Sequence, residues 1–369
     1  MKRELLFRRL LLPILVAFLL LAPLLGAAVI GEHRYEIKHP AYAKHMVARL
    51  LGEEDAACRM DDWSRTEEIP VGGDGGVTNI LVLGRDSAAG LTDVIMLVSL
   101  DADSHALRVL QIPRDTYAKY TSKNYKKLNG AYRTLGGAGF SEFISHHMGV
   151  DVDGYLCMDL SVFGEIVDTI GGVPITIPAD MDYDDPTQSL HIHLDAGEQR
   201  LTGEQAQMFV RFRSGYTQAD LGRMDAQKLF LAALAKQVKS TLTVPRAVEL
   251  ACSCFGKVKT NLSLRQCISC VRALMDVQMG DIHMSTLSGE APKPVSGGAW
   301  YYILNKNGAA AQIASLCQGK GAFDPDCVFT DRSRAEYQSI YLSDAARFTD
   351  HAHNAQDILD GTVTPSRVS

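Results

Sequence analysis

Three short apolar runs follow one another closely: NILVLG at 79–84, VIMLVSL at 94–100 and ALRVLQI at 106–112. Each has strand length and is bounded by turn residues, so three strands are predicted. The DADSH turn joins the second and third as an antiparallel hairpin, and pairing of the first with the second completes a meander. That topology puts the loop GRDSAAGLTD and the loop after Ile112 at the same end of the sheet. Asp86, Asp93, Arg114 and Asp115 are therefore expected to meet there. Acidic groups beside cations suit a hard divalent ion such as Mg2+, bridging carboxylate and phosphate oxygens. On the plain alternative, Asp86 and Asp93 are ordinary loop aspartates and PRD is a strand-ending turn.

The densest charge pattern lies further on, in AQMFVRFRSGYTQADLGRMDAQK at 206–228. Val210 and Phe212 alternate with Arg211 and Arg213, which predicts an extended segment with both guanidiniums on one face. Gly215 ends it. Asp220 is placed to cap a helix in which Arg223 and Gln227 follow at i+3 and i+7. Three arginines thus converge near a helix N-terminus, whose N–H groups also favour anions. Phosphate or pyrophosphate is the expected guest, because guanidinium forks match its oxygens bidentately. A strand and helix with solvated charges is the alternative.

The chain has 369 residues and a formal net charge of −6, which argues against nucleic-acid binding through an overall basic field. Any anion site must be local. Residues 10–30, LLLPILVAFLLLAPLLGAAVI, carry no charge and match the thickness of a bilayer. Lys2, Arg3, Arg8 and Arg9 precede them, so residues 1–9 are expected in the cytoplasm and all that follows outside. The expected arrangement is a single-pass anchor in the cell membrane, with a cleaved signal peptide as the alternative. Residues 31–76 read as an extracytoplasmic stem and linker ending in GGDGG.

YKKLNGAYRTLGGAG at 125–139 reads as a basic, Gly-rich loop that offers Lys127 and Asn129 to a substrate, and SEFISHHMG reads as a helix. VDGYLCMDL and VPITIPA are expected as strands around the helix FGEIVDTI in a βαβ-like unit, with GGV closing that helix. DMDYDDP at 180–186 reads as an acidic, solvated loop, and Arg200 as part of the turn before the arginine-bearing strand. Helices are expected at 220–240, 245–255 and 263–278. Cys252, Cys254, Cys267 and Cys270 lie in the last two, where buried thiols or disulfides rank ahead of zinc because CSC is too tight for a knuckle. Cys317 and Cys327 form the simplest further pair to bridge.

In this order the segments LGRD with TDV, LQIPRDT, KKLNGAY with LGG, VDTIGGVPI, AGEQRLTGEQA and RFRSGYTQADLGRMDAQ resemble the LytR-CpsA-Psr family of cell-wall glycopolymer transferases. The resemblance is concentrated in residues 78–228 and extends through TNLS and TLSGE toward 345, giving a catalytic domain at 77–345 and a C-terminal tail at 346–369. It implies an α/β fold, a three-layer α/β/α sandwich around a mixed central sheet, behind one N-terminal transmembrane helix. It also implies Mg2+-dependent transfer of a glycopolymer from a polyprenyl-pyrophosphate carrier to a peptidoglycan sugar hydroxyl, as a phosphodiester.

By position, the resemblance makes Asp93 the metal ligand with Asp86 beside it, and Arg211, Arg213 and Arg223 the pyrophosphate clamp. Arg114 belongs to the IPRD motif, and Asp220 and Gln227 are supporting polar groups. Ala88 and Ala226 stand where many members carry arginine, and Arg85 is the nearest replacement for the first. Two other readings share these residues: a pyrophosphatase with water as acceptor, and a lipid-binding scaffold that has lost turnover.

Overall fold

A computed structural model describes residues 76–85, 91–118, 127–186, 190–216, 220–241, 258–262, 266, 273, 277–291, 300–317 and 352–361. The apolar run at 10–30, the stem, Asp86, Ala88, the expected helices at 245–255 and 263–278 and their four cysteines lie outside these residues or rest on isolated positions among them. Among the described residues no helix is long and apolar enough to cross a membrane.

The predicted meander forms. β1 (Val77–Arg85), β2 (Thr92–Asp101) and β3 (Ala106–Gln111) pair antiparallel in sequence order. β4 (Gly154–Asp159) then lies parallel to β1, and β10 (Ile282–Thr286) parallel to β3. Short antiparallel edges, β9 (Lys259–Thr260) and β13 (His353–Asn354), complete a mixed seven-stranded sheet in the order β13-β10-β3-β2-β1-β4-β9. The central strands are buried at nearly every position, so both of their faces are covered.

Alternate side chains of the central strands enter two separate cores. Ile80, Val82, Val98, Val109 and Leu156 pack with α2 (Leu160–Thr169), α3 (Gly203–Arg211), α4 (Asp220–Thr241) and α6 (Ala355–Leu359). Leu81, Leu83, Leu97, Leu110 and Cys157 face the other way, onto α1 (Ala131–Met148) and α5 (Lys306–Cys317). Three layers result, as the family resemblance implies. α4 is buried on most of its circumference, and Phe230, Ala232 and Val238 are each no more than 1% exposed. A helix covered on most sides keeps only a narrow polar stripe, here marked by exposed Lys236 and Ser240.

Several segments differ from expectation. The Gly-rich stretch at 131–139 is the first half of α1 rather than a loop; the helix is broken only at Gly136, whose φ of 71° takes up the kink. Gly137 lies so close to the Tyr155 ring that a Cβ would meet it at 2.1 Å, which is why a helix here tolerates its glycines. β5 (Val173–Ile177) does not join the central sheet as a βαβ unit requires. It pairs antiparallel with β8 (Gly197–Leu201), and its side chains alternate between buried and exposed. The acidic segment is β6 (Met181–Asp185), paired antiparallel with β7 (Leu190–Leu194), not a loop.

The chain beyond residue 346, expected as a tail, returns to the fold through β13 and α6, where Ala355 and Ile358 are no more than 1% exposed. Gly171 and Gly172 close α2 as expected; their N–H groups return to the carbonyls of Asp168 and Val167.

Candidate active site

The loops at one end of the meander bring the predicted charges together. Asp93 is the second residue of β2, and Arg114 sits in the turn after β3. That turn is pinned from both sides. Thr116 donates its N–H to the Pro113 carbonyl at 3.0 Å, Leu128 N–H bonds the Thr116 carbonyl at 2.8 Å, and Asn129 N–H bonds the Arg114 carbonyl at 3.0 Å. The Thr92 hydroxyl donates to the Asn129 carbonyl at 3.1 Å, and Lys127 Nζ lies 3.0 Å from Asp115 Oδ2. Lys127 and Asn129 therefore reach the site by fixing the Pro113–Asp115 turn, and Asn129 is itself buried.

Arg114 donates through Nη1 to Asp93 Oδ1, and its Nε is 3.7 Å from Asp220 Oδ1. Asp220 opens α4 as its first helical residue and lies 2.9 Å from Arg223 Nη2, which also donates to the Asp93 carbonyl at 3.4 Å. Two arginines and two aspartates thus interlock across β2, the turn after β3 and the start of α4. One helical turn on, Gln227 donates through Nε2 to the Val210 carbonyl at 3.0 Å and accepts from Gln111 Nε2 at 3.3 Å. Gln111, the last residue of β3, was not among the sequence candidates; a polar side chain ending an otherwise apolar strand was its only signal.

The two arginines differ electrostatically. Burial works against the charge of Arg114, but Asp220, Asp93 and Asp115 outweigh it and raise its pKa. Arg223 is only 4% exposed; burial pushes its pKa down, and the like charges of Arg114 and Arg213 add to that against Asp220 and Asp93. Guanidinium remains protonated in either setting. The Nε atoms of both arginines are buried without a hydrogen bond among the described residues, whereas Asp220 Oδ1 is ion-paired with Arg223. Buried groups are normally paired, so the two unused Nε donors, beside a carboxylate already ion-paired with Arg223, mark a place for a ligand that accepts from them.

The arginine pair at 211 and 213 is built differently from the expected strand. Residues 203–211 are helix α3, opened by a capping box in which Thr202 and Gln205 bond each other reciprocally. Phe212, just past the helix, is extended; it is buried against Tyr216, with ring centroids 5.4 Å apart. Arg211 ends the helix half-buried, and Arg213 is exposed yet near enough to Arg223 for its charge to be felt there. Ala226 is fully buried in the apolar core and Ala88 lies outside the described residues, so the alanine at 226 removes nothing from the charged face. Arg85 does not replace a missing charge, because it is held bidentately by Asp159 across β1 and β4 at 2.8 and 3.0 Å. Asp86 is outside the described residues. Arg200 lies in β8 rather than a turn and donates to the Gly171 and Gly172 carbonyls.

The sequence signature of the LytR_cpsA_psr family matches residues 52–316. The chain is 28% identical over 197 residues to the polyisoprenyl-teichoic acid–peptidoglycan teichoic acid transferase TagV of Bacillus subtilis, covering 51% of this chain and half the length of that relative. It is also 28% identical over 296 residues to the transferase TagU of Bacillus cereus, covering 76% of this chain and 90% of that one. Among solved structures, B. subtilis TagV superposes with a TM-score of 0.57 at 22% identity, covering 68% of this chain and 99% of that chain. B. subtilis TagT superposes with a TM-score of 0.54 at 23% identity, covering 69% and 96%. With a match over most of its length, the chain belongs to the LytR-CpsA-Psr family.

Proposed function

We infer that this protein transfers a glycopolymer from a polyprenyl-pyrophosphate carrier to a sugar hydroxyl of peptidoglycan, leaving a phosphodiester link. The observation that carries the reading is the pair of half-buried Arg114 and buried Arg223, each with a buried, unused Nε donor, interlocked with Asp93 and Asp220. Relatives named as teichoic acid transferases support it. Phosphoryl transfer requires mainly positioning and charge neutralisation, and fixed guanidiniums supply both without a protein nucleophile.

In this reading the pyrophosphate lies against Arg114 and Arg223, with Arg211 and Arg213 closing on it from the end of α3. Gln227, tied to Gln111 and the Val210 carbonyl, sets the spacing between α4 and that end. The carboxylates fit a hard cation: Mg2+ takes one or two carboxylates together with phosphate oxygens, and Asp93 and Asp220 offer such oxygens beside the arginines. When bound, the ion supplies neutralisation of charge on the pyrophosphate. The acceptor hydroxyl attacks the phosphorus attached to the glycopolymer, and polyprenyl phosphate leaves. Asp86 takes the hydroxyl proton; it follows Arg85 directly in sequence, and Arg85 pairs in register with Thr92, the neighbour of Asp93. The run at 10–30 anchors the domain to the membrane on its outer side, which a reporter fused after Ser369 tests by its activity outside the cytoplasm only.

Incubating the purified protein with labelled polyprenyl-pyrophosphate oligosaccharide, Mg2+ and an acceptor glycan tests the reaction. Label moving to the glycan is the expected result. Release of free oligosaccharide phosphate would assign a pyrophosphatase, and unchanged bound lipid a scaffold.

A further inference from the structure

A second charged cluster lies outside this site, on the β6–β7 hairpin. His191 and His193 alternate with buried Ile192 and Leu194, so both rings stand on the solvent face of β7. Asp182 and Asp184 occupy the same face of β6, and the register places Asp182 opposite His193 and Asp184 opposite His191. Met181, Ile192 and Leu194 enter the core from the other face, which fixes this register, since a slip of one residue would bury the charges. Asp184 Oδ1 is 2.5 Å from His191 Nδ1 and 3.4 Å from His193 Nε2, and His193 Nδ1 is 2.7 Å from Asp182 Oδ1.

We propose that this His-x-His strand facing an Asp-x-Asp strand is a binding site for a divalent transition metal, with Zn2+ as the fitting ion. Ligand atoms of Asp184, His191 and His193 all lie within 4.8 Å of one another, a span that modest rotamer changes close to a tetrahedral shell. Asp182 is the fourth donor. Two imidazoles and two carboxylates suit zinc, whereas Mg2+ and Ca2+ prefer oxygen alone. The site is open to solvent, so the ion enters without unfolding, and binding releases to water any proton held on either imidazole. A bound ion cross-links the two strands of a hairpin that, among the described residues, otherwise pair with each other alone.

The competing reading is a pair of surface ion pairs with no ligand, and pH separates the two. The hydrogen bond it donates to Asp182 and the charges of Asp184 and Asp182 raise His193 above its ordinary 6.5, while His191 and His193 lower Asp184 below 3.8. Ion pairing is thus present between these ordinary values and is lost as pH rises through the elevated histidine pKa. Zinc binding has the opposite sign, because it needs neutral imidazole and strengthens over that same rise.

The test uses tag-free full-length protein and its His191→Gln/His193→Gln variant, both exposed positions whose replacement leaves the core untouched. Zn2+ bound per chain is measured by competition with a chromophoric chelator at slightly alkaline pH, and Co2+ is used as a spectroscopic probe. The expected result is one fewer equivalent in the variant, loss of a nitrogen- and oxygen-ligated cobalt spectrum lacking thiolate charge transfer, and an upward Tm shift with Zn2+ in the parent alone. Equal stoichiometry in the two proteins, or a cobalt spectrum unchanged by the substitutions, would overturn the proposal. So would metal affinity that rises as pH falls.

Discussion

The loop end of the meander and the outer face of the β6–β7 hairpin each hold two cationic-type side chains against two aspartates, and they differ in water. In the first, Arg223 is 5% exposed at its side chain and Arg114 17%; in the second, His191 and His193 are 60% and 58% exposed. Sheltered charges interact strongly and cannot be left half-paired, so each member of the first set depends on the others. Exposed charges are screened and add little to the fold, but their ligand atoms stay available. The buried set uses guanidinium, which holds its charge across the working pH range. The exposed set uses imidazole, which can give its proton up.

The largest effect expected from breaking this contrast is at Arg223. Arg223→Ala leaves the half-buried Asp220 without its closest cation and should lower stability by about 2 kcal/mol, measured by denaturant unfolding. Its transfer rate should fall by about a hundredfold or more. Arg223→Lys keeps the charge but not the fork, so a folded protein with a similar loss of rate is expected, and parental activity in that variant would remove Arg223 from the clamp. Asp93→Asn should next weaken the response of the rate to Mg2+ and lower the unfolding midpoint by less than Arg223→Ala does. Full metal dependence would move that role to Asp86 or Asp220.

Arg213→Ala, at the exposed rim, should cost about tenfold in rate, one charge-assisted hydrogen bond rather than a buried network. Lys236→Ala, an exposed position of α4, is the control and should match the parent; Arg200 is unsuitable because it bonds the Gly171 and Gly172 carbonyls. Gln227→Ala should cost about 1 kcal/mol through its lost bond to the Val210 carbonyl and loosen Arg211 and Arg213 together, read as a raised KM. The smallest effect is on the hairpin: Asp182→Asn, in metal-free buffer, should leave Tm within error.

The meander and the meeting of Asp93 with Arg114 were legible because long apolar runs and a five-residue turn leave few topologies open. The segment at 206–213 was not, because four alternating residues, VRFR, satisfy a strand period locally while the helix governing them begins earlier. Its evidence lay upstream, in the capping-box spacing of Thr202 and Gln205 and in Ala206, Phe209 and Val210 at i, i+3 and i+4. VPITI misled for a related reason. Its alternation of apolar and exposed positions marks a strand covered on one face, which the middle of a doubly covered sheet cannot be. The pairing of Asp220 with both arginines was beyond the sequence altogether, since it depends on how α4 docks.

β13 gives the sheet a schedule. β10 pairs with β3 on one side, and its other edge is occupied through His283 and Met284 by Asn354 and His353, some seventy residues further along the chain. During synthesis that edge emerges long before the strand that covers it, and Ala355 and Ile358 arrive later still to fill the core beneath. Until then the nascent domain displays an open ladder of N–H and C=O groups over an incomplete apolar layer, the form in which sheets recruit the wrong partner. Residues made some seventy positions after β10 are thus the ones that close its open edge.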